Sequence, residues 1–391
     1  IAVDIIRDSN NPIIVAGGGI HYSQAFAELR KFVETHNVPL AETQAGKSSL
    51  EWDHPLNLGP IGVTGGSAAN KIAEDADVVI AIGTRMQDFT TGSWSLFKNP
   101  DVKFVGLNVG GYDAAKRQAI PLIADAREGL IALRSKLTNW RAGGDFSQVK
   151  SDWFAAADAV TNEPVVDANV LPTDMQVVGA VQRTCNENSV ILGAAGTMPG
   201  EMHKLFKASK PGSYHMEYGF SCMGYEIAGA LGAKMAMPDR DIIVMVGDGS
   251  YMMMNSELAT AVMMGIPFTV VVTDNRGFGC INRLQMGTGG ANFNNLLDDA
   301  VHQNPSNIDF VGHARSMGAH SQMVDTIHQL EAALLEARGA DKPSVIVINT
   351  DPLPSTQAGG SWWDVAVPEV SVRNEVNRAR ADYELSLKSE R

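Results

Sequence analysis

Short apolar runs alternate with amphipathic stretches along most of this chain. Pro12-Ile13-Ile14-Val15-Ala16 ends in Gly17-Gly18-Gly19, and Val38-Pro39-Leu40-Ala41 follows after a helical pattern over Ser23 to Thr35. Asp77 to Gly83 and Val102 to Leu107 repeat the strand signal. After a polar, mixed stretch the pattern restarts: Ser189 to Leu192, Ile242 to Val246, Phe268 to Thr273 and Ser344 to Ile348 read as strands. Gly224 to Met235, Asn255 to Met264 and Val324 to Ala337 read as helices. Continuous apolar runs bounded by Gly and polar residues are strands buried on both faces, and their alternation with helices predicts an α/β fold of two doubly wound parallel-sheet domains. We place a first α/β domain at 1–140, a linker at 141–170 and a second α/β domain at 171–391. Gly277 to Ile308 is rich in Gly and Asn without a clear period, the signature of a long functional loop. The chain closes on an apolar patch, Ser361-Trp362-Trp363-Asp364, and a charged helical tail.

The richest chemistry lies where two of these strands end. Gly247-Asp248-Gly249-Ser250 closes one, and Asp274-Asn275-Arg276-Gly277 closes another. Parallel strands present their carboxyl ends to ligands, so Asp248 and Asn275 are expected at one sheet edge. No Lys or Arg stands between Asp241 and Asn275. An anion there has backbone N–H groups and a helix N-terminus to sit on, but no cationic side chain. A divalent ion held by one carboxylate and one amide would supply the charge, and such hard oxygen ligands suit Mg²⁺ or Ca²⁺ rather than zinc. Gly196-Thr197-Met198-Pro199-Gly200 follows a strand and opens a helix, a second anion-binding geometry.

Composition narrows the partners. The 391 residues are 45% apolar and 19% charged with a net charge of −13, which fits folded protein and argues against nucleic acid. No apolar run is long enough to span a membrane. Three dispersed cysteines indicate neither a disulfide framework nor a cysteine zinc site, and a reducing, cytoplasmic setting is expected. The chain starts at Ile1 without a signal-peptide pattern and reads as the continuation of a longer protein. Gly17-Gly18-Gly19 reads as a tight strand-to-helix turn. Gly46-Lys47-Ser48 mimics the end of a phosphate-binding loop, but the first glycine of that motif falls on Ala41. His203, His215, Asn282, Arg283 and Gln285 are weaker candidates for substrate contacts, His203 as a proton donor.

The Gly-Asp-Gly and Asn-containing turns together resemble the motif of the thiamine-diphosphate-dependent enzymes. The resemblance implies that Asp248, Asn275 and the carbonyl of Gly277 hold Mg²⁺. It implies that Gly196, Thr197, Met198, Gly247, Gly249 and Ser250 contact the diphosphate. It further implies that the Ser221 carbonyl and the Met223 side chain hold the aminopyrimidine, Met223 keeping the cofactor bent. The chain departs from the family's usual Asn-Asn at Asp274. Ala45 to Ser49, Gly83 to Thr90, Gly277 to Gln285 and Ser361 to Val365 are similar to a ring-opening acylhydrolase branch of the family. That branch implies carbon–carbon hydrolysis of a cyclic 1,2-diketone to 5-deoxyglucuronate in inositol catabolism. It implies three domains, of which this chain matches the middle and the diphosphate-binding ones. The activating Glu would lie in an N-terminal pyrimidine-binding domain, so no catalytic residue is assigned. A homodimer or homotetramer is implied, with the cofactor between subunits. The rival readings are an acetolactate-synthase-like carboligase or 2-oxo-acid decarboxylase, and a non-catalytic cofactor-binding module.

Overall fold

The structure is a computed structural model that describes residues 1–165, 170–217, 219–304, 307–357, 359 and 362–389. Part of the stretch read as linker, 166–169, and Ser361 of the double-Trp motif lie outside the described residues. The chain divides into two compact units. One comprises Ile1–Ala157, Lys207–Tyr214 and Gln357–Trp363; the other comprises Asp158–Phe206, His215–Thr356 and Asp364–Arg391.

The first unit carries β1 (Pro12–Ala16), β2 (Leu40–Glu42), β3 (Asn57–Pro60), β4 (Val78–Ile82), β5 (Lys103–Asn108) and β6 (Ile120–Ile123). They form one parallel sheet in the order β3-β2-β1-β4-β5-β6, a doubly wound arrangement. Every residue of β1 and of β4 is buried, which is why both read as unbroken apolar runs. Helix Ser147–Thr161 occupies the middle of the stretch read as linker, and its Trp153 is 1% exposed.

A second sheet is built from β7 (Ser189–Gly193), β8 (Tyr214–Met216), β9 (Asp241–Gly247), β10 (Thr269–Asp274), β11 (His320–Val324) and β12 (Ser344–Asn349). Its order is β11-β12-β10-β9-β7-β8, with parallel pairing from β11 through to β7. Val190, Leu192, Val244, Val246, Val270, Val272, Val345 and Val347 pack its core against Ile227, Tyr251, Leu258 and Phe310 from the helices. Two expectations change. The stretch after Gly277 is not an aperiodic loop: it opens with helix Gly279–Gly287, whose glycine-rich ends had masked the pattern. Val324 ends edge strand β11, and the following helix starts only at Ile327, where the Thr326 side chain accepts from the Gln329 N–H.

Candidate active site

Strands β9 and β10 are adjacent and parallel, with Thr273 paired to Gly247, so the residues that follow each strand emerge side by side. Asp248 and Asn275 are 7% and 8% exposed there. The side-chain oxygen of Asn275 faces Asp248 Oδ1 at 3.3 Å and the Gly277 carbonyl oxygen at 2.8 Å. Three oxygens thus converge with no donor between them; turned over, the amide would instead donate to both. Neighbouring ligands of an octahedral Mg²⁺ at 2.0–2.1 Å stand about 2.9 Å apart, so this cluster has the spacing and the chemistry for that ion. Among the described residues no group of three His, Cys, Asp or Glu offers a softer metal site. Burial, with the Asp274 carboxylate second, pushes the Asp248 carboxyl up to about 7, against backbone N–H groups of Gly249, Gly277 and Asn275 that favour the anion. A cation at the cluster would act in the same sense as those N–H groups. Gly277 has φ +150°, and a Cβ there would lie 2.4 Å from the Asn295 carbonyl oxygen, so only glycine fits this ligand position.

The anion-binding turns lie in the same unit. Helix Asp248–Met253 begins at the metal residue, and Gly249 packs where a Cβ would meet the Phe278 ring at 2.6 Å. Gly247 has open space around it and an ordinary φ of −74°. Gly196 adopts φ +106° with nothing near its Cβ position, and helix Thr197–Leu205 starts after it. Met198 is buried beneath that turn. Arg283 donates to Thr197 Oγ1 at 2.9 Å and to the Pro352 carbonyl at 2.6 Å. The Thr197 hydroxyl accepts from a cation, so its own proton is free for an anion. Ser250 differs: it is buried, and its Oγ lies 2.8 and 2.9 Å from the two Glu226 oxygens and accepts from Gly224 N–H at 2.9 Å.

The Ser221–Met223 turn is exposed. Ser221 has φ +52°, and its carbonyl accepts from Met223 N–H at 3.0 Å, leaving a second lone pair. Met223 is half-buried. The Glu217 carboxylate accepts from Gly219 and Cys222 N–H groups and so shapes the turn. Glu226 and the contact between Arg283 and Thr197 were not read from the sequence. The signal for Glu226 was a single carboxylate in the first turn of an otherwise Gly/Ala-rich apolar helix.

Other candidates separate. His203 is 1% exposed inside the fold, and Asn282 is fully buried. His215 makes a 2.7 Å hydrogen bond with the Tyr225 hydroxyl, and Gln285 bonds Asn295. In the first unit Gly17 and Gly19 press on Gly83, and their N–H groups donate to the Ile82 and Gly83 carbonyls, so this turn is no phosphate cradle. Lys47 is buried near the Glu42 carboxylate, and burial pushes its amine down to about 8. The double-Trp segment returns to the Gly83–Thr90 stretch: Trp362 donates to Asp88 at 2.6 Å and packs edge-on against Phe89, and Trp363 donates to the Ser93 carbonyl.

Comparison with known proteins follows the same two blocks. Residues 1–133 match the central domain of thiamine pyrophosphate enzymes, and residues 194–348 match their C-terminal TPP-binding domain. A 3D-(3,5/4)-trihydroxycyclohexane-1,2-dione hydrolase of Bacillus cereus (strain AH820) is 40% identical over 413 residues. A protein of the same name from Bacillus thuringiensis (strain Al Hakam) is 40% identical over 421 residues. A third, from Bacillus anthracis, is 40% identical over 413 residues. These alignments cover 97–98% of this chain, which spans 64% of the length of each relative. Among the described residues no helix is long and apolar enough to cross a membrane.

Proposed function

The chain belongs to the thiamine pyrophosphate enzymes, whose central and C-terminal domains it carries, and from that premise we propose that the full-length protein is a Mg²⁺- and thiamine-diphosphate-dependent hydrolase opening a cyclic 1,2-diketone. The substrate read from its relatives is trihydroxycyclohexane-1,2-dione, and the product is 5-deoxyglucuronate. The observation that carries the reading is the trio of oxygens from Asp248, Asn275 and Gly277 beside a helix start.

Asp248, Asn275 and the Gly277 carbonyl would hold the metal. Thr197 Oγ1, with its proton free, would donate to the diphosphate, and the backbone N–H groups around Gly196, Gly249 and Ser250 would add to it. Ser221 and Met223 would flank the pyrimidine. When bound, thiamine diphosphate supplies the carbon nucleophile and electron sink that cleavage beside a carbonyl requires. The residues of this chain bind it, orient it and exclude competing reactions. An activating acid from a pyrimidine-binding domain and a second subunit would complete the site.

Calorimetry of the full-length protein tests the binding half. Thiamine diphosphate should bind with Mg²⁺, fail to bind with chelator, and fail with Asp248→Ala. Undiminished binding by Asp248→Ala would refute the metal assignment. Turnover tests the other half: hydrolysis of the dione supports the reading, and turnover of pyruvate in its place would move the protein to the carboligases or decarboxylases.

A further inference from the structure

We propose that Glu226 is the positioning residue of the diphosphate site: its carboxylate locks the turn after β7, the Gly224 turn and helix Asp248–Met253 into one frame, and it takes the Ser250 proton so that this hydroxyl braces the frame instead of donating to phosphate.

Glu226 is the second residue of helix Tyr225–Ala236 and is 1% exposed. Its neighbours along the helix are Ile, Ala, Gly and Leu, so nothing in the amphipathic pattern calls for an acid there. A buried carboxylate is strongly unfavourable unless its lone pairs are met. Here four donors meet them. Gly224 N–H donates at 3.0 Å and Ser250 Oγ at 2.8 and 2.9 Å. The backbone N–H groups of Ala195 and of Glu226 itself supply the others. A plain helix cap would use only N–H groups of its own first turn. Two of these donors instead come from other segments, and both segments are turns assigned to the anion. Glu226 is thus the node joining three separate stretches of chain.

Ser250 then follows from counting. A serine hydroxyl has one proton. Gly224 N–H donates to its oxygen, and its own proton is drawn to two carboxylate oxygens. None remains for a phosphate oxygen, which accepts only. Thr197 is the opposite case, accepting from Arg283 with its proton unspent. The side-chain hydroxyl that meets the diphosphate is therefore that of Thr197.

This inference rests on the thiamine-diphosphate reading above, and the test separates the two. In the full-length protein, Glu226→Gln keeps the shape but turns an NH₂ toward at least one donor. Thiamine diphosphate affinity, measured by calorimetry below either melting temperature, should fall about tenfold or more. Ser250→Ala should cost less, and the double variant should be no worse than Glu226→Gln alone, because both act through one contact. In ligand-free protein, amide exchange at Ala195 and Gly224 should quicken in both single variants. Affinity within twofold of wild type for Glu226→Gln would overturn the proposal. So would losses that multiply in the double variant, or an affinity loss in Ser250→Ala with unchanged exchange at Gly224, since either means that Ser250 touches the ligand. If the wild type binds no thiamine diphosphate, the proposed function fails by itself. Unchanged exchange at Ala195 and Gly224 in Glu226→Gln would then still refute the frame.

Discussion

Replacing Gly277 with alanine perturbs the metal cluster through the backbone alone, leaving every ligand atom present. At φ +150° an L residue is strained by about 1–3 kcal/mol. The new Cβ would stand 2.4 Å from the Asn295 carbonyl oxygen and 2.9 Å from Leu296 Cα, both backbone atoms that cannot swing aside like a side chain. Relief needs a shift of roughly 1 Å, since ordinary carbon contacts begin near 3.5 Å. That shift weakens the 2.7 Å bond from Phe278 N–H to the Asn295 carbonyl and the bridge between Gly277 and Leu296, each worth about 0.5–1.5 kcal/mol. The sum is about 2–4 kcal/mol, or a fall in melting temperature of roughly 5–15 °C for a unit of this size. The same displacement is half the length of a Mg²⁺–oxygen bond of about 2.1 Å, so the Gly277 carbonyl leaves the cluster. Loss of metal support of this kind typically costs about 10- to 100-fold in affinity. Scanning fluorimetry without ligand and calorimetry with thiamine diphosphate across a Mg²⁺ series read the two effects separately. A Gly277→Ala protein that melts within about a degree of wild type and binds Mg²⁺ and cofactor equally well would refute the reasoning.

Two further substitutions probe the network around the site. Thr197→Val removes the hydroxyl that Arg283 leaves free to donate; cofactor affinity should fall about tenfold in calorimetry, while Thr197→Ser stays close to wild type. Asp174 is buried, and desolvation, with the Glu201 carboxylate second, pushes its carboxyl from 3.8 up to about 7. A raised folded-state value means that its contribution is complete below about pH 4 and is lost as pH rises through about 7. Asp174→Asn should therefore flatten the decline of stability between those limits in urea unfolding at stepped pH. An unchanged slope would show that Asp174 titrates normally.

The strands that escaped the sequence reading are β3, β6, β8 and β11, and these are the four sheet edges. An interior parallel strand is covered on both faces and must be apolar throughout, as in Ile242 to Val246. An edge strand carries no such demand: β8 is Tyr-His-Met, and β11 is His-Ser-Gln-Met-Val with only Val324 buried. Helix Gly279–Gly287 was hidden for a related reason, since its packing is made partly by backbone. Gly279 approaches Pro352 and Asn275, and Asn282 is buried in place of an apolar residue. The juxtaposition of Asp248 with Asn275 was legible because two apolar runs led directly to them. Glu226 was not, because its partners Ala195 and Ser250 come from distant segments and no spacing rule links them.

The charge around this edge constrains how an anion can bind. Asp248, Asp274 and Glu226 are three buried or half-buried carboxyls, each pushed up by burial. Arg276, next to Asn275, is turned to Asn307 and Asp298. Arg283 touches Thr197. One guanidinium and a set of N–H dipoles do not balance a diphosphate beside three acids, so direct anion binding should be weak. A divalent ion changes the sum: it draws Asp248 into ionisation and presents its remaining charge to the phosphates. The two cases differ in their response to salt. Binding carried by surface cations weakens steeply as ionic strength rises, because exposed charges are screened over about 8–10 Å. Binding through a buried ion is screened far less and disappears with chelator. Thiamine diphosphate affinity that falls more than about tenfold between 0.05 and 0.5 M NaCl at saturating Mg²⁺, or that survives chelation, would mean that the oxygen trio is not what holds the anion.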